Sequence, residues 1–236
     1  MRNIRPANRE VLDILNQLRT MRKNQPEFAE LARRVPPHLL HWLEYASFQT
    51  KLHVRRLGLS KTFLKTLGPT TRMLEIGAGS GRLTEHLIKN TRLTPENYEI
   101  MDISYEQNPP FLKKAIHLLK RRRRIKVTAG NMFEREYPQD YYHHILLPEA
   151  FHPRTLEDYG KLEEDIEPAG AELVALARLV NKLARALKYN GTIRISGIHL
   201  SLARRVIRRK VFPAFRIRRT SGGLILTKTR KADPSS

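Results

Sequence analysis

Met73-Leu74-Glu75-Ile76-Gly77-Ala78-Gly79-Ser80-Gly81-Arg82-Leu83-Thr84 constrains the fold more than any other segment. An apolar run ends in three glycines at alternate positions, and a helical pattern follows. Glycine permits the positive φ of a tight strand-to-helix turn and lets a ligand lie against bare backbone. The helix start supplies free N–H groups suited to polar or anionic ligands. The spacing is Gly-x-Gly-x-Gly, with Glu75 two residues ahead. The dinucleotide-binding turn instead spaces its glycines Gly-x-Gly-x-x-Gly.

Around this segment the chain has two regimes. Residues 1–68 read as helices only, with apolar stripes such as Val11, Leu12, Ile14, Leu15, Leu18 and Met21. Further helices are expected over 27–34 and about 38–57, the latter ended by Gly58. From residue 72 strands and helices alternate. Strands are expected over 72–76, 98–103, 125–129, 142–147 and 192–198, with helices over 82–89, 111–122, 171–187 and 202–210. The strands 215–219 and 224–229 are joined by Ser221-Gly222-Gly223, a hairpin signal. This grammar predicts an α/β fold: an open, mostly parallel sheet in the order third, second, first, fourth, fifth, closed by an antiparallel hairpin. The domain assignment is a helical extension over 1–68, an α/β domain over 69–230 and a frayed tail over 231–236. Residues 156–167 are an acidic stretch that reads as a solvated loop.

An acid at the end of the second strand, Asp102 in Glu99-Ile100-Met101-Asp102-Ile103-Ser104, stands 102 − 81 = 21 residues after Gly81. That offset suits a carboxylate that accepts ribose hydroxyls; a helix cap is the alternative. The glycine segment and this second element resemble the first two motifs of class I S-adenosylmethionine-dependent methyltransferases. The resemblance implies a Rossmann-like sheet and S-adenosyl-L-methionine as cofactor. Its methionine end would lie over Gly77, Ala78, Gly79 and Gly81, with Glu75 fixing the loop and orienting the cofactor's amino group. Asp102 and Ile103 would hold the ribose. Asn131 stands where the family often has an Asp that holds the adenine amino group, and Met132 packs either on adenine or in the core. In Tyr141-Tyr142-His143-His144-Ile145-Leu146-Leu147-Pro148-Glu149, His143 takes the place of an Asp that opens the fourth strand. Leu147, Pro148, Glu149 and His152 border the reacting end, with Glu149 and His152 the catalytic candidates; His152 reads as a general base or as a cap. The departures at Asn131 and His143 fall, on this reading, on the cofactor and substrate side. Leu74-Glu75-Ile76-Gly77, Gly81 and Leu83-Thr84-Glu85 are also similar to the first motif of ribosomal RNA adenine dimethyltransferases. Those enzymes carry Asn-Leu-Pro-Tyr where this chain has Leu146-Leu147-Pro148-Glu149.

Composition bears on the partner. Lys and Arg number 44 against 23 Asp and Glu, a formal net charge of +21. RNA or a ribosomal particle is the preferred polyanion. DNA, peripheral contact with an anionic membrane and a generally basic proteome are the alternatives. The basic stretches are 120–126 and 204–219, with Arg33-Arg34 and Arg55-Arg56 added. No cysteine is present, so disulfides and thiolate metal sites are excluded. The histidines lack metal-ligand spacing, and no metal is expected. No run approaches the roughly 20 apolar residues of a transmembrane segment, and the start is not of signal-peptide type. A cytoplasmic location follows as the expectation. Three functions compete: a methyltransferase acting on RNA or a ribosomal particle, one acting on a small molecule, lipid or protein, and a non-catalytic RNA-binding factor of the same fold.

Overall fold

A computed structural model describes residues 14, 17, 26–34, 50–79, 81–103, 105, 124–148, 168–198, 200–208 and 211–229. The helix expected over 111–122, the acidic stretch, the tail and most of the N-terminal helical pattern lie outside these residues. The chain divides into two units, Met1–Lys51 and Leu52–Ser236. In the first, helix α1 (Pro26–Arg33) is largely exposed, with Leu31 and Ala32 half-buried.

The second unit contains a seven-stranded sheet. Its strands are β1 (Met73–Ile76), β2 (Tyr98–Asp102), β3 (Lys126–Ala129), β4 (Tyr142–Leu147), β5 (Leu187–Ser196), β6 (Phe215–Arg219) and β7 (Gly223–Lys228). The order is β3-β2-β1-β4-β5-β7-β6, as the alternating sequence pattern predicts. β1 to β5 are parallel; β7 runs antiparallel to β5 and to β6. Among the described residues the helices of this unit include α2 (Lys61–Thr66), α3 (Arg82–Asn90), α4 (Pro168–Ala186) and α5 (Leu200–Arg208).

One face is apolar. Leu74, Ile76, Ile145, Leu147, Ile193, Ile195, Leu224 and Leu226 pack there in a single core with α4 residues Leu176, Leu179, Val180 and Leu183 and α5 residues Leu202 and Val206. Fully burying one such side chain stabilises by about 1.5–3 kcal/mol. Glu99 is also buried. Burial works to raise its pKa, but hydrogen bonds from Tyr142 and Arg135 and the charges of Arg135 and Lys126 outweigh it and hold the carboxyl below its ordinary value.

The opposite face is polar and covered by local helices. Ile100, Glu75, Leu146, Arg194, Ile225 and Arg218 form one cross-strand row. Residues 52–67, assigned to the extension above, pack on this face within the sheet's own unit. The Arg194 guanidinium donates to the carbonyls of Leu57 and Gly58 (3.1 and 2.7 Å) and lies 3.5 Å over the Phe63 ring. Phe63 meets His144 edge-on. Burial, then the nearby Arg218, lowers the Arg194 pKa to about 10, and the guanidinium stays charged at neutral pH.

Asn190-Gly191 lies inside β5, ahead of residue 192 where the sequence pattern starts the fifth strand. The register with β4 jumps from Tyr142↔Leu187 to His144↔Thr192, and Asn190 takes a left-handed φ of 60°. The extra residues are thus a bulge and not a strand start.

Gly223 shows a direct steric demand. A Cβ there would stand 1.9 Å from the Ile195 carbonyl oxygen, across the β5–β7 pair. Gly223→Ala should destabilise by more than ~2 kcal/mol, whereas Gly68→Ala, where a Cβ meets nothing within 4 Å, should be near neutral. Denaturant unfolding checks this; equal midpoints would contradict the pairing.

Candidate functional site

β1 is an interior strand, between β2 and β4, and is buried along its length. The chain leaves it through Gly77, Gly79 and Gly81 at φ 80°, 51° and 71°. All three lie in the region that side-chain-bearing residues avoid. The amides of Gly77 and Ala78 donate to the Met101 carbonyl at 2.8 and 3.3 Å, drawing the loop over the end of β2. Gly81 is the N-cap of α3 and brings no capping side chain. Around Gly79 there is open space among the described residues: a Cβ placed there meets none of their atoms within 4 Å. Only backbone conformation demands glycine at this position, and the room beside it suits a closely approaching ligand.

Gly79 is held at both backbone polar groups, by Asp102 at the end of β2 and by Tyr105 three residues beyond it. Its amide donates to Asp102 Oδ2 at 2.7 Å, and its carbonyl accepts from the Tyr105 hydroxyl at 2.6 Å. Burial, then Asp102 and Glu75, raises the Tyr105 pKa, so the phenol keeps its proton and donates. Sequence reasoning misses Tyr105. Its only signal is a phenol three residues beyond the strand-end acid.

Glu75 lies beneath the loop, 1% exposed. Its Oε2 accepts from Thr84 Oγ1 at 2.6 Å and from the Tyr98 hydroxyl at 2.8 Å, tying α3 to β2. Burial pushes its pKa up to about 7, against the lowering effect of the two hydrogen bonds; Asp102 adds to the rise.

No protein-family model matches the chain, and neither does any curated protein. Among solved structures, one from Methanococcus maripaludis assigned as an S-adenosyl-L-methionine-dependent methyltransferase superposes with a TM-score of 0.50. It is 15% identical, covering 92% of this chain and 100% of that one. This chain has the Rossmann-like fold of S-adenosylmethionine-dependent methyltransferases. The YcgJ protein of Bacillus subtilis gives a TM-score of 0.46 at 16% identity, covering 69% of each chain.

In this methyltransferase fold, Asp102 stands at the carboxyl end of β2, level with Ala129 of β3. Ile103 follows it, half-buried. Asn131 comes two residues after Ala129, so it lies near Asp102 on the same rim. Its Oδ1 accepts from the Phe133 amide at 2.9 Å, and its Nδ2 donates to Glu134 at 2.8 Å. Leu147, expected to border the reacting end, and Met132, for which the sequence leaves adenine and core both open, are wholly buried in the core, so their side chains present no surface to a ligand. His143 also departs from expectation. Its Nδ1 accepts from the Arg72 amide at 3.0 Å, at the amino end of β1 and β4 and away from the glycine rim. Burial, then Lys188 and Arg72, lowers its pKa, consistent with a neutral acceptor ring. The departure at His143 therefore does not touch the cofactor side. Glu149 and His152 lie outside the described residues.

Glu75 yields a pH prediction. Its carboxyl holds a proton more tightly in the fold than at its ordinary 4.5. The stabilisation is full below about pH 4.5 and is lost as pH rises through about 7, by at most about 3 kcal/mol. Glu75→Gln should remove this part of the decline in unfolding free energy. An unchanged pH profile in the variant would contradict the burial of a titrating carboxyl.

Proposed function

We propose that this protein is an S-adenosyl-L-methionine-dependent methyltransferase that acts on RNA or a ribosomal particle. The observation that carries the reading is the glycine turn over β1, fixed by Asp102 and Tyr105 beside open space at Gly79. These residues fit the cofactor. The α3 start and the Gly77–Gly81 backbone would receive its methionine end. Asp102 accepts from the Gly79 amide at Oδ2, and a carboxylate offers about four acceptor sites, which suits it chemically to ribose hydroxyls. Ile103 and Asn131 would border the nucleoside. Glu75 supports the loop from below through Thr84 and Tyr98.

Bound there, the cofactor supplies an activated methyl group for in-line displacement. The protein's part is to position the acceptor and exclude competing water, so no catalytic carboxylate pair or metal is required. Glu149 and His152, after β4, remain the proposed acceptor-side residues. The charge of +21 supports a polyanionic acceptor over a small neutral one.

Calorimetric titration with S-adenosyl-L-methionine tests the site. Gly79→Val places a side chain in a left-handed position where the ligand must approach, and binding should be abolished. Asp102→Ala should weaken it by about 1–3 kcal/mol, the usual cost of removing charge-assisted hydrogen bonds. Wild-type affinity in both variants would overturn the assignment.

A further inference from the structure

Acidic residues are absent from two long stretches of the chain. No Asp or Glu stands between Glu44 and Glu75, and none between Glu172 and Asp233. The fold lays these two stretches against each other. Arg194 of β5 holds the carbonyls of Leu57 and Gly58. The Thr220 hydroxyl donates to the Arg56 carbonyl, and the Arg56 side chain packs over Gly222, where a Cβ would come 2.8 Å from its Cγ. One edge of the sheet is thus built from segments that carry arginines and no carboxylate.

The exposed cations of this edge have a definite layout. β6 is the outermost strand and runs parallel to β5, since both are antiparallel to β7. Arg216 pairs across with Thr227 and Thr192, and Arg218 with Ile225 and Arg194, so both lie on the face that carries residues 52–67. Arg219 ends β6 at the rim formed by the carboxyl ends of the parallel strands, where strand alternation sets it level with Leu224 and Ile195 and on the other side of the edge from Arg216 and Arg218; there the Gly197 amide donates to the Gly222 carbonyl at 3.1 Å. Arg55 is exposed next to Arg56. Arg216, Arg218 and Arg219 are all exposed and form no ion pair among the described residues.

The other basic positions differ. Lys126 pairs with Glu99 at 3.3 Å, and Arg124 reaches Glu96 at 3.8 Å, both at the amino end of β3. Arg204, Arg205 and Arg208 lie on α5, which packs with α4 on the opposite, apolar face. The stretch 204–219 is therefore split between two faces of the sheet.

We propose that the acid-free edge is a phosphate track for RNA, with Arg55, Arg216, Arg218 and Arg219 as its contacts. A row of like charges with no ion-pair partner among the described residues gains most from a polyanion, because binding releases that polyanion's condensed counterions. The track shares the rim of the glycine turn. β6 is four strand spacings from β1, roughly 19 Å at about 4.8 Å each. That separation exceeds the reach of a small acceptor and suits a chain that offers phosphates at one point and a methyl-accepting group at another. As the track of the enzyme's own substrate, it rests on the methyltransferase reading above.

The test uses the full chain and a fluorescently labelled single-stranded RNA of mixed sequence, titrated between about 50 and about 200 mM salt. The variant carries Arg55→Gln, Arg216→Gln, Arg218→Gln and Arg219→Gln. Its log–log salt slope should flatten by up to about 3, at roughly 0.7 for each single-strand phosphate that is no longer neutralised. A comparison variant, Arg204→Gln with Arg208→Gln, should keep the wild-type slope. S-adenosyl-L-methionine affinity should be the same in all three proteins. An edge variant that binds RNA with the wild-type slope, or a loss confined to the α5 variant, overturns the track. Absence of RNA binding by the wild type also overturns it, as does arginine-dependent binding to phosphatidylglycerol vesicles in place of RNA. RNA binding that follows the edge arginines in a protein with no cofactor affinity would keep the track and reject the methyltransferase reading.

Discussion

The candidate site depends on how Gly79 is held. Its amide is taken by Asp102 at the end of β2, and its carbonyl by the Tyr105 hydroxyl three residues further on. A residue at φ 51° with open space beside it is strained for any side chain other than glycine's hydrogen. The two hydrogen bonds, with the amides of Gly77 and Ala78 on the Met101 carbonyl, fix that conformation in the folded chain. A loop already set by the protein asks less ordering entropy of a ligand. Glu75 extends the same support downward, joining the first turn of α3 to β2 through Thr84 and Tyr98.

The two faces of the sheet divide the remaining work. The apolar face, under α4 and α5, supplies the burial that stabilises the fold. The polar face carries groups that are costly to bury alone, and Glu75 and Arg194 are answered by local partners. Arg194 shows this most clearly: its charge meets two carbonyls at the end of a helical segment and the face of Phe63. The apolar core thus leaves the other face free to carry charge, and at the β6 edge that charge is presented to solvent.

Much of this is legible in the sequence, for physical reasons. The strand order follows from alternating strand and helix patterns, and the glycine turn from residues that few other backbones require. Asp102 is legible by its offset from Gly81. Tyr105 is not, because a hydrogen bond to a carbonyl two elements away leaves no periodic trace. The resemblance puts His143 on the cofactor and substrate side; the opening residue of a parallel strand lies at the opposite rim, where its Nδ1 accepts from the Arg72 amide. For Met132 the sequence leaves adenine and core both open, and only packing assigns it to the core. The acid-free stretches are plain in the sequence, but that they meet is a property of the fold.

Transfer of tritium from methyl-labelled S-adenosyl-L-methionine to RNA, protein and lipid fractions tests the central claim most directly. The account predicts label in the RNA fraction with wild-type protein and none with Gly79→Val. Label confined to protein or lipid would contradict the RNA reading. No transfer to any fraction, by protein shown to bind the cofactor, would contradict methyl transfer itself.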